Sequence, residues 1–134
     1  MAVRAKRFEY EVEVDRGGAI AAEGCDGLAP GPEWTADHLL LAALVRCSLH
    51  SLRFHAERLG ADAVGSGVAR GVVTRREEDG RYAFVELEAE LDVEVEPAPD
   101  DVGGLLAKAE RDCFVGASLT VKPSYRWRVN GRAV

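Results

Sequence analysis

From Val85 to Glu96 every second residue is apolar and every residue between is acidic: Val85, Leu87, Ala89, Leu91, Val93 and Val95 alternate with Glu86, Glu88, Glu90, Asp92, Glu94 and Glu96. Only an extended strand sends alternate residues to opposite faces, so this run is a strand with one face in a core and the other in water. The acidic row reads as a solvated face that discourages edge pairing rather than as a cation site. The turn Glu78-Asp79-Gly80 joins the run to a second extended stretch, so Val64–Glu77 and Arg81–Glu96 are predicted to form one long hairpin.

The segment before this hairpin carries the helical period. Gly24 to Pro32 is a Gly- and Pro-rich loop. Thr35 is placed to cap the helix that follows, with Asp37 in its first turn at the positive end of the dipole. Leu40, Leu44, Cys47, Ser51 and Phe54 share one stripe, widened by Leu41, Val45, Leu49 and Leu52. The helix is apolar almost all round from Leu39 to Val45, more polar from Arg53 to Arg58, and ends at Gly60. One small sheet does not cover such a helix. A homodimer whose central helices share a core is expected.

Upstream, Arg7 to Asp15 alternates with Phe8, Tyr10, Val12 and Val14 on one face, and Arg16-Gly17-Gly18 turns it back into Ala19–Glu23. Downstream, Pro97–Pro99 breaks the chain, and Asp100 or Asp101 caps a second helix with Val102, Leu105, Leu106, Ala109 and Cys113 at helical spacing. Val121 to Asn130 is the last strand. The order β-β-α-β-β-α-β is that of an α+β domain, and 134 residues make one domain of ordinary size, 1–134.

A net charge of −6, from 17 basic and 23 acidic residues, argues against nucleic acid as a partner. No run approaches the roughly 20 apolar residues of a membrane helix. The early positive charges at the N-terminus are not followed by an apolar segment, so no signal peptide is read there. The expected location is the cytoplasm, where thiols stay reduced.

There are 3 cysteines, Cys25, Cys47 and Cys113, too few for a disulfide scaffold and odd in number. If the two helices pack together, Cys47 and Cys113 come within disulfide reach, which in a reducing compartment suggests redox cycling rather than a structural link. A reactive thiol works as the thiolate, and burial opposes that form, so a cation must stand against it. Arg16, in the first turn, is a candidate. Arg46 is next to Cys47 but points about 100° around the helix. Asp37 lies about 15 Å along the axis from Cys47, so its role would be to orient the arginine. Cys47 with His50, His55 and Cys113 does not make a recognisable zinc pattern, and a Cys–His nucleophile pair lacks a third member. His38, His50 and His55 read as surface or interface polar residues. Cys25 reads as incidental.

The segment Asp37-His38-Leu39-Leu40-Leu41-Ala42-Ala43-Leu44-Val45-Arg46-Cys47 resembles the first-cysteine helix of the OsmC family. The segment Ala109-Glu110-Arg111-Asp112-Cys113-Phe114-Val115-Gly116-Ala117-Ser118-Leu119 resembles its second-cysteine segment, and the element order agrees over nearly the whole chain. The resemblance implies an intertwined homodimer with central helices wrapped by sheets and sites at the interface. It implies that Cys47 attacks a hydroperoxide and that Cys113 condenses with the resulting sulfenic acid to form a disulfide. A dithiol or a lipoylated protein would restore both thiols, with no metal and no bound cofactor. Arg16 is the best match to the family arginine of the N-terminal hairpin. Ala36-Asp37 stands where the hydroperoxide-resistance branch has proline and glutamate, and the loop Gly24 to Glu33 is short for that branch. Trp34 and Trp127 read as packing residues, though Trp34 at the pocket mouth would suit an apolar peroxide tail. The alternative is a dimeric module of this fold that binds an apolar small molecule at its interface with little or no catalysis.

Overall fold

The structure, a computed structural model, describes residues 5–134. The chain divides into two compact units, Met1–Asp37 and His38–Val134.

In the first unit, β1 (Val12–Val14) pairs antiparallel with β2 (Ile20–Ala22). The Asp15 side chain forms the turn by accepting from the backbone N–H of Gly17 and of Ala19, both at 2.9 Å, while Gly18 adopts φ 90°. The hairpin is therefore the expected one, but its ladder is shorter than Arg7–Asp15 and Ala19–Glu23. None of the described residues of this unit is buried, and Phe8, Tyr10, Val12 and Val14 are more than half exposed. A two-stranded ribbon with no covered face holds few ladder bonds.

Helix α1 runs from Ala36 to Glu57, beginning directly after Thr35. It ends in a Schellman arrangement: Ala61 N–H donates to Ala56 C=O, Gly60 N–H to Glu57 C=O (both 3.0 Å), and Gly60 sits at φ 76°. The hairpin of β3 (Asp62–Arg75) and β4 (Tyr82–Glu96) follows, close to its predicted limits, in register from Asp62↔Glu96 to Arg75↔Tyr82 with a bulge at Val72/Val73.

Beyond β4 the structure differs from the expected single helix. Helix α2 (Val102–Arg111) is capped by Asp101, whose side chain accepts from Gly104 N–H at 2.9 Å, and it stops before Cys113. Cys113 is extended (φ −73°, ψ 108°) and caps a separate short helix, α3 (Phe114–Ser118), by accepting from Gly116 N–H at 3.4 Å. The break has a local cause: Asp112 is drawn into side-chain bonds, and a thiol capping the next turn replaces continuation of the first. Because α2 and α3 form a crossover, β5 (Ser124–Val129) returns parallel to β4, and β6 (Arg132–Ala133) closes the sheet in the order β3-β4-β5-β6. Asn130 and Gly131, at φ 51° and 80°, make the last turn. The Asn130 amide also grips both backbone groups of Val95, at 2.9 and 3.1 Å.

One face of the sheet carries the core. Leu91, Val93 and Val95 of β4 and Trp127 and Val129 of β5 meet Leu52 and Ala56 of α1 and Leu105, Leu106 and Ala109 of α2. On the opposite face the acidic row of β4 is flanked by arginines: Glu90 pairs with Arg70 at 3.0 Å, and Glu88 with Arg126 at 3.4 Å. Such exposed pairs contribute little each, so the row is a solvated face as expected. Gly67 on β3 leaves room for the Leu91 side chain beneath it and for Val45 of α1. A methyl group there would also fall 2.9 Å from Glu90 O and 3.1 Å from Val45 Cγ1. Gly67→Ala is expected to destabilise the fold by about 1–3 kcal/mol through overpacking, measured as a lower urea midpoint at unchanged slope.

Candidate active site

Helix α1 turns Leu44, Ser48, Ser51, Leu52 and Ala56 fully inward. Cys47 lies at the edge of that buried stripe and is half-buried, whereas Cys113 is completely buried. Leu44, Ala89 and Cys113 form a small apolar cluster against which Cys47, Ala69, Val115 and Tyr125 pack. The two cysteines, 66 positions apart in the chain (113 − 47), are both free thiols, and Cys47 packs against the cluster that holds Cys113. Of the four residues singled out in the sequence, these two are brought together.

Three influences set the Cys47 thiol. Burial is the largest and pushes its pKa up from the ordinary value. The backbone N–H groups of Val115 and, more weakly, Phe114 pull it back, and the neighbouring Cys113 thiol adds to the upward push. None of these groups is a cation. Arg46 lines a groove of about 310 Å³ with Leu49, His50, Arg53 and residues of β3, and contributes nothing to the thiol, as its place on the helix requires. Arg16 sits exposed in the β1–β2 turn and Asp37 exposed in the first turn of α1, and among the described residues no ion pair joins them.

Sequence reasoning did not select the polar groups around Cys113. Ser48, with no exposed surface, donates to Leu44 C=O at 2.8 Å and lies 3.6 Å from Cys113 Sγ and 3.5 Å from the Tyr125 hydroxyl. The Tyr125 phenol is pushed up to about 12, first by burial and further by Cys113 and Glu110, so it stays protonated. Ser48 follows Cys47 and lies one turn after Leu44, so its burial was readable. Tyr125, which comes from another strand, gave no signal.

His55 departs from the reading of the histidines as surface or interface polar residues, since it is paired within the chain. Its side chain is only 11% exposed, and its Nε2 lies 2.7 Å from Asp112 Oδ2. Arg111 also grips Asp112 with two bonds of 2.9 Å, and these contacts, Arg111 first, hold the Asp112 carboxyl down to about 2. The pair ties α1 to the α2–α3 junction one residue before Cys113. His50 is exposed and lines the Arg46 groove. Among the described residues no cluster of three His, Cys, Asp or Glu could hold a metal ion, and no helix is long and apolar enough to cross a membrane. Trp127 is a packing residue, with its indole N–H on Glu110 at 3.3 Å. Trp34 is 53% exposed.

The family profile described as OsmC-like protein matches residues 26–128, which include both cysteines. The chain belongs to the OsmC family. Solved structures of OsmC and hydroperoxide-resistance proteins share its fold at low identity. An OsmC-like protein of unknown function from Vibrio cholerae O1 biovar eltor is 14% identical with a TM-score of 0.71, over 91% of this chain and 100% of that one. An organic hydroperoxide resistance protein from Elizabethkingia anophelis is 14% identical with a TM-score of 0.64, over 95% and 100%. The organic hydroperoxide resistance protein OhrB of Bacillus subtilis is 15% identical with a TM-score of 0.57, over 90% and 96%. No curated protein matches the sequence. The α+β architecture is thus that of the OsmC fold, with one short helix and one terminal strand added to the expected order.

Thiols that share one packed cluster need little movement to join. Mild oxidation of the reduced protein with diamide is expected to give a Cys47–Cys113 disulfide, read by peptide mapping. A dominant disulfide to Cys25 would contradict the placement.

Proposed function

We propose that this OsmC-family chain is a thiol-dependent peroxidase that reduces organic hydroperoxides, with Cys47 attacking and Cys113 resolving. The observation that carries this reading is the unequal pair: a reachable thiol packed against the cluster in which a second thiol is sealed from solvent. The Cys47 thiolate attacks the distal peroxide oxygen, the O–O bond breaks, and the alkoxide leaves as an alcohol after taking a proton. The sulfur is left as a sulfenic acid. Cys113 then closes the disulfide with loss of water, and a dithiol or lipoylated protein reduces it. Names among the structural neighbours, organic hydroperoxide resistance proteins, point the same way. No metal or bound cofactor enters this chemistry, and neither nucleic acid nor membrane is a partner. The reduced state of the pair suits the cytoplasm.

Burial alone would leave Cys47 protonated at neutral pH. In this reading Arg16 supplies the opposing charge, Asp37 orients it, and a second copy of the chain completes the site. A hairpin unit none of whose described residues is buried, together with exposed Val64, Val68 and Val72 on β3 and Phe54 on α1, leaves apolar surface for that second copy to cover. The two units then work as one OsmC-like domain in an intertwined homodimer. The raised Cys47 thiol, with no cation among the groups that shift it, is also the observation that favours a second reading: a module that binds an apolar small molecule at the dimer interface.

The variants separate the two. Cys113→Ser treated with cumene hydroperoxide is expected to accumulate a Cys47 sulfenic acid trapped by dimedone, with one turnover and no recycling, whereas Cys47→Ser yields no adduct. Full peroxide turnover by Cys47→Ser would refute the mechanism. Arg16→Ala is expected to move the pH midpoint of Cys47 alkylation upward by about one unit or more and to slow sulfenic acid formation at pH 7 by about tenfold or more, as loss of a nearby opposite charge requires. An unchanged midpoint would remove Arg16 from the site.

A further inference from the structure

The surroundings of Cys113 contain more chemistry than a packed thiol needs. Ser48 has one hydroxyl proton and two lone pairs. The shortest of its three contacts, 2.8 Å to Leu44 C=O, takes the proton. The Tyr125 oxygen, at 3.5 Å, is a second and longer acceptor for that proton, and the Cys113 thiol lies at 3.6 Å, where its S–H can donate to the Ser48 oxygen. Gly116 donates its N–H to the same sulfur at 3.4 Å. Its lack of a side chain admits the Tyr125 hydroxyl, which lies 3.0 Å from where a Cβ would stand, with Cys113 Sγ at 3.5 Å from that point. Ser48 and Cys113 have no exposed surface, while Tyr125 is half-buried beside them.

We propose that Ser48 and Tyr125 form a hydroxyl pair that governs the proton of Cys113. While both cysteines are reduced, Cys113 donates its S–H to Ser48 and is held as an unreactive thiol. When Cys113 attacks, the Ser48 hydroxyl turns from its acceptors, Leu44 C=O and the Tyr125 oxygen, to the sulfur and donates to it, and the phenol O–H turns to donate to the Ser48 oxygen. A bond to a developing thiolate is stronger than the neutral bond it replaces, so the rotation favours the attacking state. In the peroxidase cycle the Cys113 sulfur forms a bond to the Cys47 sulfur, the Cys47 S–O bond breaks, and the departing hydroxide takes the Cys113 proton as water. Other titratable groups near this thiol are Cys47 on α1, Glu110 on α2, whose carboxylate is bonded to Trp127, and the His55–Asp112 pair at the junction. None of these replaces the contact that Ser48 makes.

The inference rests on the peroxidase reading for its place in a cycle, but its test needs no peroxide. In a Cys25→Ser background, dithionitrobenzoate modifies the reachable Cys47. Cys113 then attacks the Cys47 sulfur of the mixed disulfide and expels the second thionitrobenzoate with the bonding electron pair, while its own proton passes to solvent. The two releases are followed by absorbance as two phases across pH. Ser48→Ala is expected to leave the first phase within about twofold, slow the second about tenfold or more at pH 7, and move its pH midpoint upward. Tyr125→Phe, which loses one oxygen and little packing, is expected to shift the second phase the same way by a smaller factor. A purely structural role would slow both phases and leave the midpoint in place. Second phases within twofold of wild type in both variants, at an unmoved midpoint, would overturn the proposal, as would a wild-type protein that never releases the second equivalent. Normal closure in a protein inert to hydroperoxide would defeat the peroxidase reading and leave this one standing.

Discussion

The packing of Cys47 against the cluster that holds Cys113 depends on how one face of α1 is covered. Leu44 and Ser48 point directly into the α2–α3 crossover, and Cys47 lies at the edge of that buried stripe. The crossover in turn is fixed because β5 must return parallel to β4, which requires the chain to pass over the sheet face where α1 lies. The helix break at Asp112 does the rest. A continuous helix through Cys113 would carry the thiol at helical spacing from Ala109. The extended Cys113 instead caps α3 and sets Val115 against the same cluster as Cys47. The His55–Asp112 bond, anchored by Arg111, holds that junction against α1.

Packing the pair has an electrostatic consequence. The apolar cluster that brings the cysteines together also raises the cost of ionising Cys47. Two backbone donors offset part of it at Cys47, and burial still prevails. Chemistry at this site therefore depends on charge brought from outside the cluster. The one arginine beside Cys47 in sequence faces the β3 groove instead.

Much of this was legible in the sequence because periodicity reports burial directly. The unbroken alternation of Val85–Glu96 located β4, its inward face and its solvated acidic row. The apolar stripe through Leu44 and Cys47 located α1, and the glycine at position 60 marked its end. The meeting of Cys47 with Cys113 followed from two helices packing on one sheet. The break between α2 and α3 was hidden, because the helical spacing of Leu105, Leu106 and Ala109 continues to Cys113, and only side-chain bonds of Asp112 and a capping thiol interrupt it. His55 was misread as a surface group because its partner lies 57 residues away in the chain. Tyr125 was invisible for the same reason, being 77 residues from Ser48. Local pattern gives elements and faces, whereas polar partners across the fold depend on tertiary placement.

The most direct measurement is the stoichiometry and rate of thiol loss when the fully reduced protein is mixed with cumene hydroperoxide in stopped flow, with the products mapped by mass. The account predicts loss of two thiols per hydroperoxide consumed, both mapped to Cys47 and Cys113, at a rate far above that of free cysteine. Oxidation no faster than a free thiol, or distributed over Cys25 as well, would contradict it and would leave a fold of this family whose paired thiols are not activated for peroxide.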